Sequence, residues 1–237
     1  MKSGPEGNAL LAALPQPAKQ RLFPLLQEVM LPLGMEIYAP GEVENSVYFP
    51  IDCIISLLYV TADGHSAEIS VVGREGVLGV PVFLGGGSTT SDAIVQSAGR
   101  AYRLSAAEVK REFDTDTAMR MLLLRYTQSL ITQMAQTAVC NRHHTILQQL
   151  ARWLLLSMDR LPSDELIMTQ ELIANMLGVR REGVTEAAGK LQKLGVIHYV
   201  RGHIKVLDRQ KLETLSCECY RVVKDESDRL TAYIQKS

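Results

Sequence analysis

Residues 169–207 read TQELIANMLGVRREGVTEAAGKLQKLGVIHYVRGHIKVL, and the hydrophobic period changes from helical to alternating within them. Thr169 is a helix cap, Gln170 and Glu171 suit the first turn behind it, and Leu172, Ile173, Met176 and Leu177 are its inward positions. Gly178 stops that helix. A second runs from Arg181 to about Leu194 on Val184, Ala187, Ala188 and Leu191, and Gly195 closes it. Two short helices across the turn Gly178-Val179-Arg180 make a helix-turn-helix. Val196 to Val200 and His203 to Leu207 then alternate as strands around Arg201-Gly202, a basic hairpin directly after the second helix. The stretch reads as a winged helix-turn-helix. An ordinary helical bundle with a hairpin is the other architecture with these elements.

Charge concentrates in the same place. The net charge is −1, yet between Arg180 and Lys211 eight basic residues (Arg180, Arg181, Lys190, Lys193, Arg201, Lys205, Arg209, Lys211) face three acidic ones (Glu182, Glu186, Asp208). A local excess of +5 suits a polyanion.

Upstream, His144 to Met158 has a helical period, ending at Leu161-Pro162-Ser163-Asp164. From Thr117 to about Asn141 there is neither Gly nor Pro, which predicts one long helix. Met119, Leu123, Tyr126, Leu130, Met134 and Ala138 form an apolar stripe along it, while Leu122, Leu124 and Ile131 widen the apolar surface beyond one face. That width is more than a small domain covers, so a second chain is expected against the stripe, with packing on the chain's own domain as the other reading.

Residues 31–104 hold 10 of the 17 glycines. Short runs such as Ser46 to Phe49, Ile54 to Val60, Ala67 to Val72 and Ala93 to Gln96 are punctuated by Pro40-Gly41, Asp63-Gly64 and Gly85-Gly86-Gly87. A small β-roll, barrel or sandwich is expected there. Asn8 to Met30 reads as short helical pieces broken at Pro15, Pro17 and Pro24.

The 237 residues, 46% hydrophobic and 22% charged, suffice for one or two cores and show no low-complexity tract. No run of about 18 apolar residues and no signal-peptide pattern occurs, so a cytoplasmic protein without membrane contact is expected. Cys53, Cys140, Cys217 and Cys219 are too few and too irregularly spaced for a disulfide framework. No Walker loop, nucleophile elbow or paired-carboxylate motif appears, so no enzyme is expected.

A β-roll, a long helix and a winged helix-turn-helix in that order resemble the Crp-Fnr family of bacterial transcription regulators, from about Leu10 to Leu207. The run from Thr169 to Gly178, then Arg181-Glu182-Gly183-Val184-Thr185 and Leu191 to Ile197, looks like the family's helix-turn-helix from end to end. Leu33-Gly34, Pro40-Gly41-Glu42, Tyr48-Phe49 and Asp63-Gly64 look like strand and turn positions of a cyclic-nucleotide-binding-type roll. The fold class expected is α+β: an effector-type roll over 1–115, a dimerisation helix and hinge over 116–141, and the winged helix-turn-helix with a helical tail over 142–237. The tail after Leu212 carries no identifiable chemistry.

The resemblance implies a homodimeric, sequence-specific regulator on a palindromic double-stranded operator, its recognition helices about 34 Å apart, with RNA polymerase as a further partner. The dimer is expected through Met119, Leu123, Tyr126, Leu130 and Met134. Arg181 and Glu182 fall where the family keeps a base-reading Arg-Glu pair, and Thr185 and Glu186 continue that face. Thr169, Arg180, Lys190, Lys193, Arg201 and Lys205 are read as phosphate contacts. Two departures stand out: Arg180 replaces the usual Ser or Thr cap, and Glu186 stands where an arginine reads a base in the best-known member. The alternative function is a ligand- or protein-binding module whose winged helix contacts protein.

Cyclic-AMP-binding members hold the phosphate with a Gly-Glu step and an Arg-Ser or Arg-Thr pair. The matching positions here are Gly79-Val80 and Ser91-Asp92, so the usual cyclic nucleotide mode is not expected and the effector is left open. No cysteine precedes Cys53, which argues against an iron-sulfur sensor, whereas His65 could ligate a haem, although one histidine at a turn is usually just solvated. Cys140 and His143, with His144 adjacent, could join Cys217-Glu218-Cys219 in a metal or redox site only if the termini fold back. The spacing matches no standard zinc pattern, so neither metal nor cofactor is expected.

Overall fold

A computed structural model describes residues 4–232. Two short helices lead in, α1 (Ala9–Ala13) and α2 (Gln16–Leu22). Asn8 anchors the first from both sides: its Oδ1 accepts the Leu10 and Leu11 N–H groups, and its amide donates to the Pro50 and Gly76 carbonyls. The helical expectation for the entry segment extends too far. Residues Gln27–Leu31 are strand β1, because beyond Pro24 only the alternate side chains Val29 and Leu31 turn inward and the backbone pairs with another strand.

The roll consists of two sheets. β1, β3 (Ser46–Pro50) and β7 (Gly99–Ser105) form one in the order β1-β7-β3, and β2 (Glu36–Tyr38), β4 (Ile54–Val60), β5 (Ser66–Val72) and β6 (Asp92–Ser97) form the other in the order β2-β6-β4-β5. All pairs are antiparallel. Helix α3 (Val80–Leu84) lies between β5 and β6 in sequence, and α4 (Ala106–Thr115), capped by Ser105, leads out.

Helix α5 (Thr117–His143) is 27 residues long, with Asp116 capping its start. Its inward face corrects the expected seam. Met119, Leu123, Tyr126 and Leu130 are buried in the roll's own core, beside Phe49 and Leu104, and Met134 packs against that cluster. Leu130 is 8% exposed and its neighbour Ile131 55%. The side of α5 left open carries Met121, Leu124, Gln128, Ile131, Ala135 and Ala138, at intervals of 3, 4, 3, 4 and 3. The stripe of mostly four-residue steps tracks the wide face an α-helix lays on a core, whereas the alternation of three and four marks a narrow seam.

Thr145 and Gln148 form a reciprocal capping box at the start of α6 (Ile146–Arg160). Beyond it lie β8 (Glu165–Ile167), α7 (Gln170–Leu177), α8 (Arg181–Lys193), β9 (Ile197–Val200), β10 (His203–Val206), α9 (Arg209–Leu215) and α10 (Glu218–Ala232). The wing is three-stranded, β8-β10-β9, and β8 escapes the sequence pattern because a three-residue run carries too little period to register. A second core gathers Leu150, Trp153, Leu154, Ile173, Val184, Leu191 and Ile204, and Tyr220 and Val223 of α10 join it. No helix among the described residues is long and apolar enough to cross a membrane.

Candidate nucleic-acid interface

Helix α7 is held at both ends by the residues expected to hold it. Thr169 Oγ1 accepts the Leu172 N–H at 3.2 Å, and Gly178 takes a left-handed φ of 63° at the C-cap. A Cβ on Gly178 would also stand 3.3 Å from Ala67 of β5, so the turn of the helix-turn-helix lies against the roll. Helix α8 begins at Arg181 with no side-chain cap from Arg180: the Gly183 N–H turns back to the Arg180 carbonyl at 3.0 Å, and the Arg181 and Glu182 N–H groups have no side-chain acceptor. The wing tip is tight: Arg201 and Gly202 both have positive φ, 49° and 83°, the two left-handed residues of a hairpin turn.

These ends converge. Thr169, Gln170, Glu171, Arg181, Tyr199, Arg201 and Gly202 line a surface cavity of about 480 Å³ between the starts of both helices and the wing. Tyr199 braces it, its hydroxyl donating to the Met168 carbonyl at 2.8 Å and its N–H to Gln192 Oε1 at 3.0 Å. Burial pushes its phenol up to about 12. Arg180, Arg181, Glu182, Thr185, Glu186, Lys190 and Lys193 are all exposed along α8, and Arg201 and Lys205 on the wing.

Several of these groups already have partners. Arg181 Nε lies 4.0 Å from Glu171 Oε2, Lys190 Nζ 2.7 Å from Glu186 Oε1, and Lys205 Nζ 2.9 Å from Glu165 Oε1. The lysines hold the Glu186 and Glu165 carboxyls below their ordinary range. Thr185 Oγ1 donates to Gln170 Oε1 at 2.7 Å. Gln170, Glu171, Glu165 and Tyr199 therefore belong to the surface, though none of them is among the site residues expected from the sequence. Only Glu171 carries a sequence signal, ten residues ahead of Arg181 at the start of the preceding helix.

The effector-type positions lie in the roll. Gly79 caps α3 with φ 108°, and a Cβ there would meet Val47 Cγ1 at 2.7 Å. Val80 opens α3, and Ser91 is buried with its hydroxyl 3.0 Å from Thr89 Oγ1. Asp92 opens β6 opposite Leu58. The arginines of β7 serve elsewhere: Arg100 donates to Asp52 through Nε and Nη2, and Arg103 to Gln27. Glu44 is buried, and neither carboxylate oxygen has a hydrogen-bond partner. Burial pushes its carboxyl up to about 7. Its backbone N–H bonds the Gly87 carbonyl at 2.8 Å, which puts it against the loop after α3.

Two family models match the chain in succession: a cyclic nucleotide-binding domain over residues 28–116 and a Crp-like helix-turn-helix domain over residues 148–215. No curated relative matches. Among solved structures, FixK2 from Bradyrhizobium japonicum is 19% identical with a TM-score of 0.69, covering 81% of this chain and 98% of that one. A transcriptional regulator of the CRP family from Thermus thermophilus is 18% identical with a TM-score of 0.67, covering 79% and 96%. CLP, a c-di-GMP-responsive global regulator from Xanthomonas campestris, is 14% identical with a TM-score of 0.63, covering 81% and 99%.

Proposed function

The chain belongs to the Crp/Fnr family of transcriptional regulators, and from that premise we propose that it is a homodimer that reads a palindromic double-stranded DNA operator with α8. The observation that carries this reading is the convergence of the uncapped start of α8, the start of α7 and the basic wing tip on one concave, exposed surface. A phosphate fits the free N–H groups of an uncapped helix start. Arg181 offers a guanine O6 and N7 a two-donor fork, and Glu182 and Glu186 accept from cytosine N4. Thr169, Arg180, Lys190, Lys193, Arg201 and Lys205 hold phosphates, which fixes register and makes affinity salt-dependent. The ion pairs to Glu171, Glu186 and Glu165 are exposed, so exchanging them for DNA costs little.

The open seam of α5 supports dimerisation along that helix, through Met121, Leu124, Gln128, Ile131, Ala135 and Ala138 in place of Met119, Leu123, Tyr126, Leu130 and Met134. For the roll, the absence of a basic fork at Ser91-Asp92 supports a scaffold role or an effector less anionic than a cyclic nucleotide. Selection of bound sequences from a random DNA pool, with and without cell extract, tests the reading. The expected product is a two-fold consensus with half-sites about one helical turn apart. Binding without sequence enrichment, or affinity that ignores salt, overturns it.

A further inference from the structure

Four side chains distant in sequence meet where α5 ends. Cys140 lies on the last turn of α5, His144 is its C-cap, and Cys217 and Cys219 flank the first residue of α10. One donor atom from each, three Sγ and a histidine nitrogen, all lie within 4.8 Å of one another. Cys140 Sγ is 3.5 Å from Cys217 Sγ, and Cys219 Sγ is 3.6 Å from His144 Nδ1. With Zn–S near 2.3 Å and Zn–N near 2.0 Å, a tetrahedral ion sets its ligand atoms about 3.5 to 3.8 Å apart. The four atoms thus stand close to the corners around a single ion, and too close together for a multi-iron cluster between them.

The surroundings suit a metal as well. All three thiols are buried and free, and they form a cluster separate from both hydrophobic cores. His144 turns Nδ1 toward Cys219 and Nε2 toward Glu218, whose Oε1 is 3.3 Å away. Metal-bound histidines are oriented this way, with the second nitrogen given to a carboxylate. Buried Arg152, from α6, acts electrostatically on Cys140 and Cys219, and its Nε has no hydrogen-bond partner. Three thiolates and one imidazole around Zn²⁺ leave a net charge of −1, which a guanidinium alongside offsets. A surface groove of about 390 Å³ lined by Glu213, Ser216, Cys217 and Glu218 provides an entry path. His143, the histidine paired with Cys140 on sequence grounds, is exposed, and His144 stands in its place.

We propose that Cys140, His144, Cys217 and Cys219 form a closed, four-coordinate zinc site that staples the start of α10 to the end of α5. On binding, three Zn–S bonds and one Zn–N bond form, each cysteine releases its proton to solvent, and the neutral imidazole keeps its Nε2 proton toward Glu218. The staple sits where α5 hands over to α6, so the ion would join the roll's helix to the helix-turn-helix unit.

The test uses the full-length protein purified under reducing conditions without chelator. Elemental analysis is expected to give one zinc per chain. Replacement by Co²⁺ is expected to give tetrahedral d–d bands with strong thiolate-to-metal charge transfer, a readout on the unmutated chain that needs no variant to fold. Glu218→Gln keeps all four ligands and should lower zinc affinity about 10- to 100-fold, while Cys53→Ser should leave it unchanged. An octahedral Co²⁺ spectrum without a thiolate band, or reduced protein that retains no zinc, would each overturn the proposal. None of these readouts depends on DNA binding.

Discussion

The guanidinium of Arg181 rests 4.0 Å from Glu171 on an exposed surface, so the fork exchanges partners cheaply. Arg181→Ala is expected to remove discrimination between operator and random DNA, a loss of about 1 to 3 kcal/mol per half-site, with weak salt-dependent affinity remaining. Arg201→Ala should instead weaken every sequence alike and flatten the salt dependence. Titrations of both DNAs at several salt concentrations separate the roles; equal losses for Arg181→Ala make it a phosphate contact. Glu44 behaves differently, because its cost lies in the fold. Its carboxyl is raised from 4.5 to about 7 by burial. A raised folded-state pKa favours the folded state below pH 4.5, and that advantage is lost as pH climbs through 7. Glu44→Met, which removes the titration, should gain roughly 2 kcal/mol relative to the unmodified protein between pH 5 and pH 8. Parallel urea-unfolding profiles at the two pH values would show that Glu44 ionises freely in the fold.

Along α5, the two apolar lines have different duties. Ile131→Glu places a charge twice in the proposed two-fold seam, at a cost of several kcal/mol, and sedimentation should show monomer with the roll still folded. Leu130→Glu, one residue earlier, strikes the roll's own core and should lower thermal stability instead. A dimer that survives Ile131→Glu would move the interface off α5. The α3–β6 segment is the other element whose chemistry can be tested directly. Gly79 and Ser91 bring no cationic fork, Asp92 adds like charge, and Arg100 and Arg103 are tied to Asp52 and Gln27. Calorimetric titration with cyclic AMP and cyclic GMP is therefore expected to show no binding at physiological concentration. A micromolar dissociation constant would mean that one of those arginines leaves its partner for the phosphate.

At the scale of the whole molecule, a buried polar network joins the roll to the helix-turn-helix unit. Arg160 of α6 donates to Glu75 Oε1, to the Leu156 carbonyl and to Gln133 Oε1 of α5, each at 2.7 Å. Gln133 in turn donates to the Val71 carbonyl at 3.0 Å. Nearby, Glu68 accepts from Ser56 at 2.6 Å and from the Trp153 indole at 3.1 Å. Arg160→Ala leaves Gln133 Oε1 without its donor and Glu75 with only the Gly73 N–H, and should cost about 3 kcal/mol or more, with the two units melting apart in calorimetry. Arg160→Lys should recover less than half, since an ammonium cannot reach three acceptors spread along a planar fork. Single-transition melting of Arg160→Ala would show that the units are held together by other contacts.

The winged helix-turn-helix is legible in the amino-acid sequence because its punctuation is local. Thr169, Gly178, Gly195 and the Arg201-Gly202 turn act on backbone groups a few residues away, and the structure has each doing so. The strands from Ser46 to Val72 are legible for the same reason, since turn residues separate them. The inward face of α5 is not. A 27-residue helix with apolar residues on more than one side offers two lines, and the roll's cavity chose Met119, Leu123, Tyr126 and Leu130. Nor can spacing join Cys140 to Cys217, 77 residues away, until α10 folds back onto α5. Caps and turns follow from interactions within about four residues, and these the sequence by itself determined. The choice of face and the meeting of distant donors depend on which segments pack together, and only the tertiary structure decided them.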